Sequence, residues 1–164
     1  MKTLQPYVTY NHWANELLLT LISKELSEEK IDIEIISSFS SLRKTVYHIW
    51  DAEDIWFKRL NGESPAVGIS ENFNGKFTEA KEKILSLDRE FIEYVSTINF
   101  EKALETFTYK NIAGKEFTNP VWETIHHCMN HSTYHRGQIV TMLSQLGITN
   151  IPSTDFITYC RIEN

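Results

Sequence analysis

Histidines concentrate in one short stretch of the chain. Six occur among 164 residues, and four of these are His126, His127, His131 and His135. Residues four positions apart on a helix have Cβ atoms about 5–6 Å apart, so two imidazoles can bind one ion at about 2.0–2.1 Å. The pairs 127/131 and 131/135 both have this spacing. All three cannot bind one ion, because positions 127 and 135 are roughly 12 Å apart along a helix axis.

The apolar side of the predicted helix distinguishes the two pairs. At about 100° per residue, that side is centred on Ile125, Met129, Ser132, Ile139 and Leu143. His131 and His135 follow one flank of it, whereas His127 lies further toward water. We therefore predict His131 and His135 as ligands. A third ligand must come from another element, and His48, at the margin of the apolar face of a second predicted helix, is the leading candidate.

A structural interpretation competes with metal binding at each histidine. Two histidines at this spacing are often solvated surface residues, so spacing alone leaves both interpretations open. We interpret His12 and His126 as structural or surface residues, and His127 as the same or as a residue at a pocket rim. Cys128 lies on the same stripe as the predicted ligands, but a packed apolar thiol is the favoured interpretation.

Polar neighbours of the predicted ligands are further candidates. Asp51 and Gln138 are the nearest groups that could act as a general base. Arg136 suits either an anionic substrate or a salt bridge at the surface or in a dimer, and the salt bridge is favoured. Gly137 inside a helix costs about 1 kcal/mol relative to Ala, which predicts the close approach of another backbone.

Four segments have the apolar periodicity of amphipathic helices. Asn119 is the predicted N-cap of the last one, with Pro120 at its first position. A short hairpin with its turn at 111–114 is predicted between the third and fourth helices. This pattern predicts an all-α four-helix bundle, in which sites are built from side chains on facing helices. The predicted helices span 7–22, 37–60, 77–98 and 120–146.

Length and charge restrict the classes of protein. A chain of 164 residues suits one domain over 1–164. The net charge of −6, without a basic run, argues against a nucleic-acid partner. The apolar run at 17–22 is too short to span a membrane. No signal-peptide apolar core begins the chain and the two cysteines lack CxxC spacing, which favours a cytoplasmic protein. P-loop, GxGxxG, GxSxG and HExxH strings are absent.

Several segments resemble motifs of the DinB/YfiT-like metalloenzyme family. The most specific is NHSTYHRGQ at 130–138, which is similar to the family's NHxxxHRGQ string. The segment YNHWAN at 10–15 resembles the opening-helix motif, and PSTDFITY at 152–159 resembles the tail. The second helix also matches, through His48, Trp56 and the RLNG string at 59–62.

This resemblance implies a four-helix bundle of up-down-down-up topology, usually a homodimer. It also implies one divalent ion held by His48, His131 and His135, in agreement with the argument from the helical wheel. Zinc and nickel are the favoured ions, with manganese and iron as alternatives. Family members whose chemistry is understood include transferases and isomerases that activate a low-molecular-weight thiol.

Three functions follow as hypotheses. The first is a metal-dependent transferase that acts on a small molecule with a small thiol, because a divalent ion lowers the pKa of a bound thiol or water. The second is a metal-dependent hydrolase with the same ligands. The third is a non-catalytic stress-related module whose histidines bind no ion or only a structural one.

Overall fold

A computed structural model describes residues 4–162, and this part of the chain is mostly helical with one small sheet. Four of its seven α-helices are long, and each corresponds to a predicted helix. A short 3-10 turn, Ile69–Asn72, precedes the third of these long helices. The elements are α1 (Leu4–Glu25), α2 (Glu28–Ile31), α3 (Leu42–Leu60), α4 (Phe77–Ser96), α5 (Phe100–Leu104), β1 (Thr106–Lys110), β2 (Glu116–Pro120), α6 (Val121–Gln145) and α7 (Phe156–Ile162).

Three helix starts differ from the predicted ones. Helix α1 begins at Leu4 and not at 7. Helix α3 begins at Leu42 and not at 37, because the Ser41 side chain accepts a hydrogen bond from the Lys44 backbone and caps the helix there. Helix α6 begins at Val121, with Pro120 as its N-cap. The prediction of Asn119 as the cap is therefore wrong. Asn119 lies in β2 instead, where its backbone belongs to the sheet.

The four long helices pack against one another in a closed cycle, α1 with α4 and α6, and α3 with α4 and α6. One apolar cluster joins the C-terminal parts of α1 and α6 to the N-terminal parts of α3 and α4. It includes Ile22, Ile49, Ile84 and Leu143. Burial of each such side chain contributes about 1.5–3 kcal/mol to folding.

A second apolar cluster lies at the other end of the long helices. It joins the N-terminal parts of α1 and α6 to the C-terminal part of α4, through Val8, Phe91 and Ile125, and Trp56 and Leu60 of α3 pack against it. In one cluster the C-terminal halves of α1 and α6 thus meet the N-terminal halves of α3 and α4. In the other cluster the opposite halves meet.

The hairpin predicted between the last two long helices is confirmed. Strands β1 and β2 pair antiparallel, with Thr106 opposite Pro120 and Lys110 opposite Glu116. Gly114 in the connecting turn has φ +79°, a conformation that favours glycine. The buried Tyr109 ring of β1 lies 5.2 Å from the Trp56 ring of α3, measured between centroids. This contact holds the hairpin against the face of α3 that also carries His48, nearer to the start of the helix.

The expectation for Gly137 is wrong. A Cβ atom built on this glycine has no heavy atom within 4 Å outside its own helix and chain neighbours. Within residues 4–162 no other backbone therefore approaches it closely, and helix α6 carries the cost of a glycine there without a packing reason.

Candidate metal centre

The three predicted ligands lie together between α3 and α6. His48 extends from α3, and His131 and His135 extend from adjacent turns of α6. The Nε2 atom of His131 lies 3.0 Å from Nε2 of His48 and 3.1 Å from Nε2 of His135. All three ligand atoms are within 4.8 Å of one another. His131 and His135, predicted from their spacing on one helix, and His48, the candidate from a second helix, therefore form one cluster.

These separations fit a single small ion. Nitrogen ligands at about 2.0–2.1 Å from an ion are about 2.9 Å apart at octahedral angles and about 3.3 Å apart at tetrahedral angles. The two measured Nε2 distances fall in this interval. Neutral imidazole is the donor that zinc, nickel, copper and ferrous iron accept readily. The donor set thus fits a divalent transition metal ion.

Burial favours the neutral form of His48 and His131. It lowers the pKa of His131 to about 4, and the neighbouring His135 and His48 lower this pKa further through their positive charge when protonated. Burial and the charge of His135 likewise lower the pKa of His48. A neutral imidazole retains the lone pair that binds a metal. His48 and His131 are therefore ready to bind an ion without first losing protons near neutral pH.

Gln138 orients His135 and is not placed to act as a base. Its Oε1 atom lies 2.9 Å from Nδ1 of His135 and can only accept, so the imidazole carries its proton on Nδ1 and keeps the lone pair on Nε2. The Nε2 amide of Gln138 donates to Ser38 Oγ at 3.0 Å. Phe39 from the same loop stacks on His48, with centroids 4.2 Å apart. Both ends of the cluster are thus fixed by neighbours.

Asp51 is also occupied. Its two carboxylate oxygens accept hydrogen bonds from the backbone N–H and the hydroxyl of Ser70, each at 2.7 Å. Gly68 packs so closely that a Cβ there would be 2.4 Å from the Asp51 Cγ atom. The carboxylate therefore fixes the 3-10 turn beside the site, and its role as a general base loses support.

The other histidines and the buried cysteine do not join the cluster. His127 is exposed, and its ring lies 5.1 Å from Trp56 and 6.2 Å from His131, which matches the interpretation as a rim residue. His12 contacts Asp88, and His126 lies against Tyr7. Cys128 is fully buried as a packed thiol, and its burial raises its pKa.

A buried polar network lies on the opposite side of the same part of α6. Arg136 is only 2% exposed, and its guanidinium donates to the side-chain oxygens of Asn11 and Asn15 and to Thr133. The interpretation of Arg136 as a surface or dimer salt bridge is therefore wrong. Because a buried cation needs several partners, the residue holds helix α6 to helix α1.

Two acidic side chains complete this network. Glu53 of α3 is 1% exposed, and its Oε1 atom accepts from Asn11 at 2.8 Å and from Ser132 at 2.7 Å. Asp88 of α4 accepts from Asn15 at 3.2 Å. Burial raises the pKa of Glu53 to about 8, and the negative charge of Asp88 adds to this effect. The network thus connects all four long helices directly behind the histidine cluster.

An open cavity of about 330 Å³ lies in front of the cluster. His48 and His131 form one end of its wall, and Arg59 forms part of the rest. No predicted function falls on Arg59, although it lies three turns after His48 on the same face of α3. The remaining wall includes Ala52, Ile55, Trp56, Ile112 and His127.

The fold and this cluster define a mostly helical protein with a three-histidine centre able to hold a divalent ion. Two comparisons with known proteins agree. The model of the DinB family matches residues 1–163. Protein DinB of Bacillus subtilis (strain 168) is 31% identical over 158 residues, which cover 92% of this chain and 89% of that protein. The chain therefore belongs to the DinB family, as its motifs predicted.

Family membership and the three-histidine cluster are compatible with a metal-binding enzyme. None of the helices within residues 4–162 is both long enough and apolar enough to cross a membrane.

Proposed function

We propose that this protein is a divalent-metal-dependent enzyme that transfers a low-molecular-weight thiol to a small electrophilic molecule. His48, His131 and His135 hold the ion in this proposal. The observation that carries it is the convergence of three imidazoles whose ligand atoms lie within 4.8 Å of one another, with His48 and His131 lining an open cavity. Sites with three protein ligands keep positions for substrate, as a catalytic ion requires.

The residues around the cluster have separate tasks in this proposal. A bound divalent ion supplies positive charge that lowers the pKa of a thiol or water beside it. Gln138 keeps the Nε2 lone pair of His135 directed at the ion, and Phe39 restricts the His48 ring. Trp56 and His127 line both the cavity beside the histidines and a neighbouring cavity of about 370 Å³, which gives room for a second substrate.

Elemental analysis tests the metal site first. Wild-type protein purified without a tag or chelator is expected to hold about one divalent ion per chain. His48→Ala and His135→Ala should each lose it while remaining helical by circular dichroism. His127→Ala is the matched control, since it removes an exposed histidine of the same helix, and it should keep the ion. No ion in the wild type, and none taken up on titration, would refute the metal site.

The same measurement identifies the ion. Imidazole ligands favour zinc and nickel, and manganese and iron are the next candidates. Because purified occupancy reflects availability as well as affinity, the protein should also be loaded with each ion separately and the dissociation constants compared.

A pair of substrates distinguishes the proposed transferase from a hydrolase. With an activated aryl halide and a small thiol, the thiol sulfur forms a bond to the aryl carbon, halide leaves, and the thiol proton goes to solvent. Thiol consumption equal to halide release supports the transferase. Release of nitrophenol from a nitrophenyl ester with no thiol added supports the hydrolase. Chelator effects on the melting temperature without either activity would support a non-catalytic module.

The arrangement of the long helices supports a single-domain four-helix bundle of up-down-down-up topology. Each apolar cluster combines one end of α1 and α6 with the opposite sequence end of α3 and α4. Helices α1 and α6 therefore run one way, and α3 and α4 run the other way. A crystal structure with measured interhelical angles tests this topology.

We also propose that the protein is a cytoplasmic homodimer. Trp122 and Phe156 are among the exposed apolar side chains, and together with Leu4 and Tyr7 they line an open apolar surface. Such a surface on a folded protein favours association. Light scattering at several concentrations measures the oligomeric state, and Trp122→Glu should shift a dimer toward monomer. Fractionation of cells measures the compartment.

A further inference from the structure

Arg59 is a buried cation without an acidic partner. Arg59 is 5% exposed, and its guanidinium forms no hydrogen bond or ion pair with another residue of the described part of the chain. Its Nε atom is buried and unpartnered. Arg43 of the same helix shows the usual alternative, since it pairs with Glu28 and Asp32 at the surface. A buried guanidinium without such a partner is costly and calls for an explanation.

Two aromatic rings lie against this guanidinium. Its central carbon lies 4.4 Å from the Trp56 ring centroid and 5.0 Å from the Tyr109 ring centroid. Cation–π contact with aromatic rings holds the cation without using its N–H donors, which stay available to another ligand. Neither Trp56 nor Tyr109 accepts a hydrogen bond from the guanidinium, and the buried Nε–H has no partner among the described residues.

The cavity beside the histidine cluster reaches this cation. Arg59, His48 and His131 line the same cavity. Of the two acidic residues in that wall, Asp51 is bonded to Ser70 and Glu71 is exposed. Neither forms an ion pair with Arg59 within the described residues. The cavity thus combines a possible metal centre at one end with an unneutralised guanidinium further along α3.

The helix sets the separation of the two ends. His48 and Trp56 are eight residues apart, which is roughly 12 Å along the axis of α3. Since the Arg59 guanidinium lies over the Trp56 ring, an anion bound there is on the order of 10 Å from a group at the histidine Nε2 atoms. A molecule that contacts both must therefore be several bonds long.

We propose that Arg59 binds a carboxylate at the far end of the thiol substrate whose sulfur reaches the histidine cluster. The planar guanidinium matches a carboxylate through two parallel N–H to oxygen hydrogen bonds. This assignment rests on the proposed thiol chemistry of the site and adds the substrate class, an elongated thiol carboxylic acid. Arg59 is a binding residue for the end of the substrate away from the reacting atoms.

Cobalt-substituted protein and a series of mercaptocarboxylic acids test the assignment. The near-ultraviolet absorption of a cobalt–sulfur contact reports thiol binding. Thiols from mercaptoacetate to mercaptooctanoate are titrated beside the mercaptoalcohols of equal length. Charge-assisted hydrogen bonds predict that the longer acids bind about 10- to 100-fold more tightly than the matching alcohols, whereas mercaptoacetate, which is too short to reach Arg59, gains nothing.

Two variants isolate the guanidinium. Arg59→Gln should remove the preference for the acids and leave the affinity for the alcohols unchanged. Arg89→Gln is the matched control because it removes an exposed arginine on α4 and should preserve the preference. Arg59→Lys keeps the charge without the planar fork, and it should retain only part of the preference. Equal affinities for acids and alcohols in the wild type would overturn the proposal while leaving the metal site intact.

A separate measurement tests Arg59 if the protein binds no metal. If the protein takes up no cobalt, calorimetric titration of chelator-treated protein with octanoate and octanol examines Arg59 alone. Preferential binding of octanoate, lost in Arg59→Gln or reduced in Arg59→Lys, supports a carboxylate site without the metal. Equal binding by wild type and both variants overturns it. The circular dichroism spectrum of each variant shows whether it is folded, and only a folded variant is used in this comparison.

Discussion

Glu53 is expected to be protonated in the folded protein at neutral pH, and Glu53→Gln tests this. The side chain is buried in the network behind the histidines, with its Oε1 atom accepting from Asn11 and Ser132. Its Oε2 atom is buried with no hydrogen-bond partner. An unpartnered neutral hydroxyl costs much less than an unpartnered anionic oxygen. Glutamine keeps the shape and the Oε1 acceptor while removing the ionisable group.

The size of the effect follows from the raised pKa. Burial, with the charge of Asp88, moves the pKa of Glu53 from 4.5 to about 8. Because this acid holds its proton to higher pH in the folded state than in the unfolded state, stability falls as pH rises between these values. The slope approaches about 1.4 kcal/mol per pH unit. From about pH 5.5 to about pH 7.5 the loss amounts to about 2.5 kcal/mol, and it is complete above about pH 8.

Urea unfolding followed by circular dichroism measures this pH-dependent loss of stability. The free energy of unfolding is determined for wild type and Glu53→Gln at each pH in the presence of a chelator, so that metal binding does not contribute. Histidine titration affects both proteins and cancels in the difference. The stability of Glu53→Gln relative to wild type should therefore rise by about 2.5 kcal/mol over that interval. Glu90→Gln, an exposed change on α4, should show no such trend.

A flat difference between Glu53→Gln and wild type would refute this reasoning. It would mean that Glu53 is already ionised at pH 5.5 and is stabilised as an anion by Arg136. If Glu53→Gln does not fold, the carboxyl carbon shift of Glu53 in wild-type protein, followed by nuclear magnetic resonance through the same pH range, reports the same protonation.

Three further substitutions on α6 have distinct expected outcomes. Arg136→Met should lower the free energy of unfolding by about 3–5 kcal/mol in urea, because it leaves the buried Asn11 and Asn15 oxygens without their donor and removes the positive charge beside Glu53. Gly137→Ala should raise it by about 0.5–1 kcal/mol, because the new Cβ meets no neighbour and the helix gains propensity. Gln138→Ala should weaken metal binding about 10- to 100-fold in a chelator competition assay, because His135 loses the partner that fixes its ring.

Matched controls and contrary outcomes accompany these three changes. Arg89→Met should alter stability by no more than about 0.5 kcal/mol, and a similar value for Arg136→Met would show that its hydrogen bonds contribute little. A destabilised Gly137→Ala would indicate a neighbour close to that position. Gln145→Ala, at the exposed end of the same helix, should bind metal as wild type does. Equal metal affinity in Gln138→Ala would remove its orienting role.

Much of the site could be predicted because helical periodicity places residues in space. His131 and His135 share one flank of a helix by their spacing, and the long helices follow from apolar residues three and four apart. His48 was only a candidate from its own helix, since periodicity does not state which faces of two helices meet. The motif resemblance added this information about His48, because it relates positions that are distant in the sequence.

The buried network was missed although its signal is visible in the sequence. Asn11, Asn15 and Glu53 lie in phase with apolar core positions of their helices, where polar residues are rare unless they bond to one another. Each one appears alone in its own segment, so no local pattern connects them. Arg136 was assigned to the surface for the same reason, since its partners are on a helix more than a hundred residues earlier.

Helix boundaries were predicted less well where the local sequence is compatible with more than one starting residue. Serines precede α3 at several positions, and only the capping hydrogen bond selects Ser41. Before α6, the segment that resembles a cap is also the end of a strand. Pairing with β1 decides between these alternatives, and such pairing depends on a distant segment.

The hairpin gives the cavity a wall that is independent of the residues holding the long helices together. Tyr109 in β1 covers Arg59, while Ile112 near the tip lines the cavity and is itself exposed. The histidines and the buried network lie on the long helices. A protein built in this way can change what its cavity accepts by changes to one short surface segment, while the histidine cluster and the residues that hold the long helices together stay unaltered. For protein engineering, residues 110–116 are therefore the place to diversify.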